Sequence, residues 1–136
     1  MRMKDKVTVI IGAGQSPGEG IGNGRATAIV FAREGAKVLC VDNRLESAEE
    51  TAEILKKAGG VAAGFKADVM KEAEMKAAVD EAVKRWGRLD TLHYNVGVSL
   101  GGGDKPPLEI TEEAFDRVNA INLRGFIMAC KHALPI

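Results

Sequence analysis

The sequence predicts an α/β fold built on a doubly wound parallel sheet. Three observations carry this reading. Short apolar runs at 7–11, 37–42, 61–68 and 89–98 alternate with longer segments of helical periodicity. The runs are apolar without strict alternation, so each strand must be covered on both faces. Gly35, Gly59 and Gly87 each follow a helical segment, where a left-handed residue ends a helix. Right-handed crossovers then place helices on both sides of the sheet.

Each element has its own justification. "VTVII" (7–11) reads as a strand buried on both faces. A glycine-rich turn leads into a helix over 25–34, stopped by Gly35. "KVLCVD" (37–42) is the second strand. The helix over 46–58 sets Ala48, Ala52 and Leu55 on one side. "VAAGFKAD" (61–68) is the third strand, weakened by Gly64. The helix over 71–86 carries Met75, Ala78, Val79, Ala82, Val83 and Trp86 at three-and-four spacing. "LDTLHYNVGV" (89–98) is the fourth strand, and a loop rich in glycine and proline follows. Thr111 is placed to cap a final helix from Glu112 to about Leu134. Residues 1–136 thus form a single domain in the order β-α-β-α-β-α-β-α.

Composition excludes several classes. Nineteen Lys and Arg balance nineteen Asp and Glu, which argues against nucleic acid or an anionic membrane surface as partner. The first apolar run is too short for a signal-peptide core or a spanning helix. Cys40 and Cys130 lie in apolar stretches without CxxC spacing, as expected of reduced, packed thiols in a cytoplasmic protein. No Cys and His spacing points to a metal.

The chemistry begins at the turn after the first strand. Six glycines stand between positions 12 and 24. In an open parallel sheet this turn borders the ligand crevice. Bare backbone can approach a diphosphate there, and the free N–H groups at a helix start favour negative charge. Gly12, Gly14, Gly20, Gly22 and Gly24 are the candidate contacts. The competing reading is a flexible surface loop. Strict GxGxxG spacing is absent, and the lack of GxxxxGK[ST] argues against a P-loop nucleotidase. Asp42 ends the second strand twenty residues after Gly22. A carboxylate there accepts both ribose hydroxyls of NAD and repels a 2′-phosphate. Its plainer role is a turn residue. Asn43 adjoins it, and Arg44 is placed to meet a phosphate, which leaves NADP open.

Taken together, these segments resemble the short-chain dehydrogenase/reductase family. "IIGAG…GIGNGRATA" resembles its TGxxxGxG turn, and "EGAKVLCVD" its second strand with the NAD-selecting aspartate. "ADV" (67–69) resembles the segment bordering adenine, which singles out Asp68 and Val69. "YNVGV" (94–98) stands where the family has NNAG, and it keeps Asn95 and Gly97. "FDRVNAINLRGFIMACKHALP" resembles the helix with the active-site asparagine, here Asn122. There are departures. Ile11 replaces a threonine. The turn is longer, and setting 22–28 on the family's last GxG makes 15–20 an insertion. "NVGV" lacks the second asparagine and the alanine.

The resemblance implies a Rossmann sheet in the order 3-2-1-4, ending after the helix that follows strand four. It implies NAD as cofactor, with NADP open, and hydride transfer to or from an alcohol or carbonyl substrate. Asn122 would hold a water in a proton relay. Val118 and Phe126 lie one turn either side, so an apolar face is expected and the amide must find partners, backbone being the plain alternative. The family's Ser/Tyr/Lys triad is not matched: the one tyrosine, Tyr94, has Val98 four residues on, where YxxxK has lysine. The chain therefore resembles the N-terminal half of a family of about 250 residues. A fourth strand left at the sheet edge and an apolar last helix lead us to expect a homo-oligomer. Two other functions stay open: a dinucleotide-binding module without turnover, and an S-adenosylmethionine methyltransferase.

Overall fold

The computed structural model describes residues 1–18 and 20–136. Four parallel strands form one sheet: β1 (Val7–Ile11), β2 (Lys37–Asp42), β3 (Val61–Lys66) and β4 (Thr91–Tyr94), in the order β3-β2-β1-β4. The helices are α1 (Asn23–Arg33), α2 (Leu45–Lys57), α3 (Glu72–Trp86), α4 (Glu112–Asn119) and α5 (Gly125–Ala133). This is the expected doubly wound arrangement. Among the described residues, no helix is long and apolar enough to cross a membrane.

The unbroken apolar pattern of β1 has a direct cause. Val7, Val9 and Ile11 pack with Leu39, Val41, Met75, Ala78 and Ala129 on the side of α3 and α5. Ile10 packs with Val38, Cys40, Ala28, Ala52 and Leu55 on the side of α1 and α2. Register pairs Val9 with Leu39 and Ile10 with Cys40, so both faces of two central strands are filled. Burial lifts the Cys40 thiol to about 12, which makes it a packed hydrophobe and not a nucleophile.

Three expectations are corrected in detail. β3 ends at Lys66, and Ala67 and Asp68 lie in the following turn. β4 has four residues, because its partner β1 stops at Ile11 where Gly12 turns at φ +86°. One further bond, Asn95 N–H to the Ile11 carbonyl at 2.8 Å, marks the end of pairing. The last helix runs over the expected span but not with α-type bonding throughout. A π-turn, Ala120–Arg124, separates α4 from α5. Thr111 does cap α4, its side chain accepting the Ala114 N–H at 3.2 Å.

The start of β1 is held electrostatically. Asp90 accepts the Val7 N–H at 2.9 Å and pairs with Arg88 at 2.6 Å. The Arg88 bond first, then the Val7 N–H, hold the Asp90 carboxyl below its usual range. A depressed carboxylate contributes stability that is complete above the unfolded value, about pH 4, and is lost as pH falls through the folded one. Thermal melts of the native chain and Asp90→Asn should therefore differ most at pH 5–7 and converge below about pH 4. A difference that persists undiminished at pH 3 would remove the Asp90 contribution.

Candidate functional site

The site is built from the β1–α1 turn outward. Gly12 and Ala13 both donate to the Val41 carbonyl, at 2.8 and 2.9 Å, which ties the turn to β2. Gly14 N–H donates to Asp42 Oδ2 at 3.0 Å, and a Cβ on Gly14 would stand 2.6 Å from that oxygen. Asp42 thus rests on bare backbone. Its Oδ1 accepts the Arg44 N–H at 3.1 Å. Helix α1 starts at Asn23, after Gly22, an extended N-cap with no side chain of its own to cap the helix. Gly24 lies within the first turn, buried, and a Cβ there would overlap the Gly12 carbonyl oxygen. Asn95 reaches back from the end of β4, its Nδ2 3.5 Å from the same oxygen.

These elements enclose a cleft of about 820 Å³ at the carboxyl ends of the strands. That is the size range of ligand sites. Gly12, Gly14 and Gly22 line it on the α1 side, and Asp42 and Asn43 at the end of β2. Asp68 and Val69 close the β3 side, and Asn95 and Gly97 the β4 side. Asp68 is fixed by accepting the Met70 N–H at 2.9 Å.

Three candidate residues stand elsewhere. Gly20 lines a separate shallow groove with Arg25, Arg44 and Glu50. The turn is anchored from α2. Gln15 N–H donates to Ser47 Oγ at 2.8 Å, Arg44 donates to the Gln15 carbonyl at 2.7 Å, and Gln15 Oε1 accepts Gly22 N–H at 2.5 Å. The inserted segment is pinned at its base, and Gly20 falls on the other side of that pin. Gly24 packs beneath the turn and does not line the cleft. Asn122 is exposed, and so is Phe126 one turn on, so the face expected to be apolar around it is not buried. Its Oδ1 accepts the Val98 N–H at 2.8 Å and its Nδ2 donates to the Val98 carbonyl at 2.7 Å. Val98 lines the cleft.

Other residues bear on the site, and of these only Tyr94 was weighed from sequence. Buried Arg25 donates to Thr51 Oγ1 at 2.9 Å, and Thr51 donates to the Ala13 carbonyl at 2.8 Å. Glu50 pairs with Arg25 at 2.9 Å. Ser47 and Thr51 are four apart on the α2 face that carries Ala48 and Ala52, and polar residues on that inward face were the available signal. Tyr94 packs edge-on against Phe126 and donates its hydroxyl hydrogen to the Ile121 carbonyl. Burial pushes its pKa up to about 12. Among the described residues, no three His, Cys, Asp or Glu side chains converge as a metal site.

Comparison with known proteins decides the family. The family model described as short chain dehydrogenase matches residues 6–136. The chain belongs to the short chain dehydrogenase family. An uncharacterized oxidoreductase of Bacillus subtilis, YxbG, is 38% identical over 99% of this chain and 46% of its own length. A Burkholderia xenovorans structure described as a short-chain dehydrogenase/reductase superposes with a TM-score of 0.90 at 38% identity, covering 99% of this chain and 52% of that one. A 7α-hydroxysteroid dehydrogenase complexed with NADH and 7-oxo glycochenodeoxycholic acid superposes with a TM-score of 0.87 at 30% identity, over 98% of this chain and 49% of that one. This short chain dehydrogenase chain spans about half the length of the relatives it matches.

Proposed function

We propose that the chain is the dinucleotide-binding half of an NAD-dependent oxidoreductase that moves hydride between nicotinamide and an alcohol or carbonyl substrate. One observation carries the reading. The Asp42 carboxylate, at the end of β2, lies against bare Gly14 on the wall of the cleft, where a Cβ would fill the approach. The residues fit the cofactor. Gly12, Gly14 and Gly22 offer backbone to the diphosphate. Asp42 and Asn43 meet the adenosine ribose, Asp68 and Val69 flank adenine, and Asn95 and Gly97 border the nicotinamide end. Bound NAD would supply the hydride acceptor. Gly24 acts through packing, and Asn122 through its hold on Val98.

The preference for NAD over NADP follows from two side chains. Asp42 brings negative charge to the place of a 2′-phosphate. Arg44, the cation that would answer that phosphate, donates to the Gln15 carbonyl at 2.7 Å and approaches Ser47 Oγ at 3.4 Å. Isothermal titration with NAD, NADP and S-adenosylmethionine tests this. NAD should bind at least about tenfold tighter than NADP, a difference of about 1.4 kcal/mol, and S-adenosylmethionine should give no heat. Equal affinity for the two dinucleotides defeats the preference, and binding of S-adenosylmethionine alone defeats the function.

Binding without turnover is a second reading for this chain, favoured by Tyr94. Its proton is spent on Ile121 and burial keeps it protonated, so the one tyrosine is not a general base. NADH oxidation with a panel of ketones separates the two. The exposed face of Phe115, Leu123 and Ile127 on α4, the π-turn and α5 is the proposed contact with a second copy. A monomeric mass by light scattering would dismiss that contact.

A further inference from the structure

We propose that Tyr94 is a positioning residue: its hydroxyl holds the π-turn in the geometry from which Asn122 clamps Val98 into the cleft wall. The functional weight of this clamp rests on the dinucleotide reading above, but its geometry does not.

The argument starts from the helix backbone. In a continuous α-helix the Gly125 N–H would donate to Ile121, four residues back. Here it donates to the Ala120 carbonyl, five residues back. The Ile121 carbonyl has lost its α-type donor, and a half-buried carbonyl needs a replacement. The Tyr94 hydroxyl supplies it. Gly125 makes room: a Cβ there would overlap the Tyr94 hydroxyl oxygen and stand 2.8 Å from the Val69 carbonyl. The Tyr94 ring also touches Phe126 edge-on, with centroids 5.7 Å apart and planes at 64°, a packing contact separate from the hydroxyl bond.

Asn122 follows Ile121 directly. Its carboxamide satisfies both the N–H and the carbonyl of Val98, which fixes that residue's backbone from two sides. Tyr94 and Val98 bound the segment that leaves β4 and forms one wall of the cleft. The π-turn therefore stitches this segment at both ends: Tyr94 to Ile121, Val98 to Asn122. Ile121 and Val98 both line the cleft, so the two stitches set its shape. Nothing in the amide of Asn122 selects Val98 unless the turn is wound as it is.

Tyr94→Phe removes one oxygen and keeps the ring. By amide hydrogen exchange on the ligand-free chain, the Val98 amide should exchange about tenfold faster in this variant, on the order of one lost hydrogen bond. The Asn122 side-chain NH₂ resonances should move toward those of a water-exposed asparagine, and the Val9 amide in β1 should be unchanged. Gly125→Ala, which drives a methyl into the hydroxyl's place, should do the same. Phe126→Ala removes the ring contact but not the donor and should leave Val98 protected. Unchanged Val98 and Asn122 signals in Tyr94→Phe overturn the proposal. So does a uniform rise at Val9 and Val98, or a rise in Phe126→Ala alone, since each shows plain packing. No cofactor enters these measurements, so a failed NAD titration leaves them readable.

Discussion

Asp42→Ala is expected to weaken NAD binding by about a hundredfold. A carboxylate that accepts both ribose hydroxyls makes two bonds to a charged acceptor, each worth about 1.5–3 kcal/mol, and even the low end of their sum is a factor of about 100. The same carboxylate already accepts Gly14 N–H at 3.0 Å and Arg44 N–H at 3.1 Å. Alanine therefore also releases the turn that faces the diphosphate. Asp42→Asn separates the two effects. It keeps an acceptor for the turn, loses the charge and one acceptor, and should cost closer to tenfold. In both variants the NAD to NADP ratio should fall toward one, because the repulsion of a 2′-phosphate is gone. Titration calorimetry reads all three proteins. An NAD affinity within about threefold of the native chain in Asp42→Ala would place the ribose elsewhere.

The residues that announce themselves in sequence are those whose job is local or periodic. β1 reads as doubly buried because both its faces meet apolar layers. Gly35, Gly59 and Gly87 sit at φ +95°, +87° and +77°, where an L side chain is strained, so the helix stops were legible. Thr111 was legible as a cap for the same local reason. Asp42 could be placed at the cleft because its distance from the glycine turn is a property of one β-α-β unit.

What sequence did not show depends on bonds between distant residues. The spacing of Val118, Asn122 and Phe126 is consistent with an unbroken helix, and the donor that meets the Ile121 carbonyl is the Tyr94 hydroxyl, twenty-seven residues away. Gly20 carries the same bare backbone as Gly14, but its direction is decided by Gln15 bonding to Ser47, thirty-two residues away. Arg25 looks like a surface residue in "GRATA", yet it is buried because Thr51 and Glu50 receive it across the α1–α2 contact. A glycine pattern thus locates a turn. It does not say which glycines face the ligand and which face the protein.

Gly24 shows the difference at its most severe. It has ordinary helical backbone, so alanine would by propensity favour α1 by about 0.5–1 kcal/mol. The clash decides the other way. The new Cβ would overlap the Gly12 carbonyl oxygen and stand 3.0 Å from Asn95 Nδ2. The first of these is backbone, which no rotamer change can move, so α1 must shift off the turn and its packing on the sheet. Gly24→Ala should lose at least about 3 kcal/mol, a fall of roughly 10 °C in melting temperature for a chain of this length. Gly22→Ala, two residues away, is the matched control. Its Cβ would come close to the Gln15 side-chain oxygen at 3.3 Å, at the end of a flexible arm, and stand in ordinary contact with the Gly14 carbonyl at 3.9 Å, so its melting point should barely move. Scanning calorimetry of the pair reads the contrast directly. If Gly24→Ala melts within about 2 °C of the native chain, α1 does not press on Gly12, and Gly24 returns to being one more glycine offered to a phosphate.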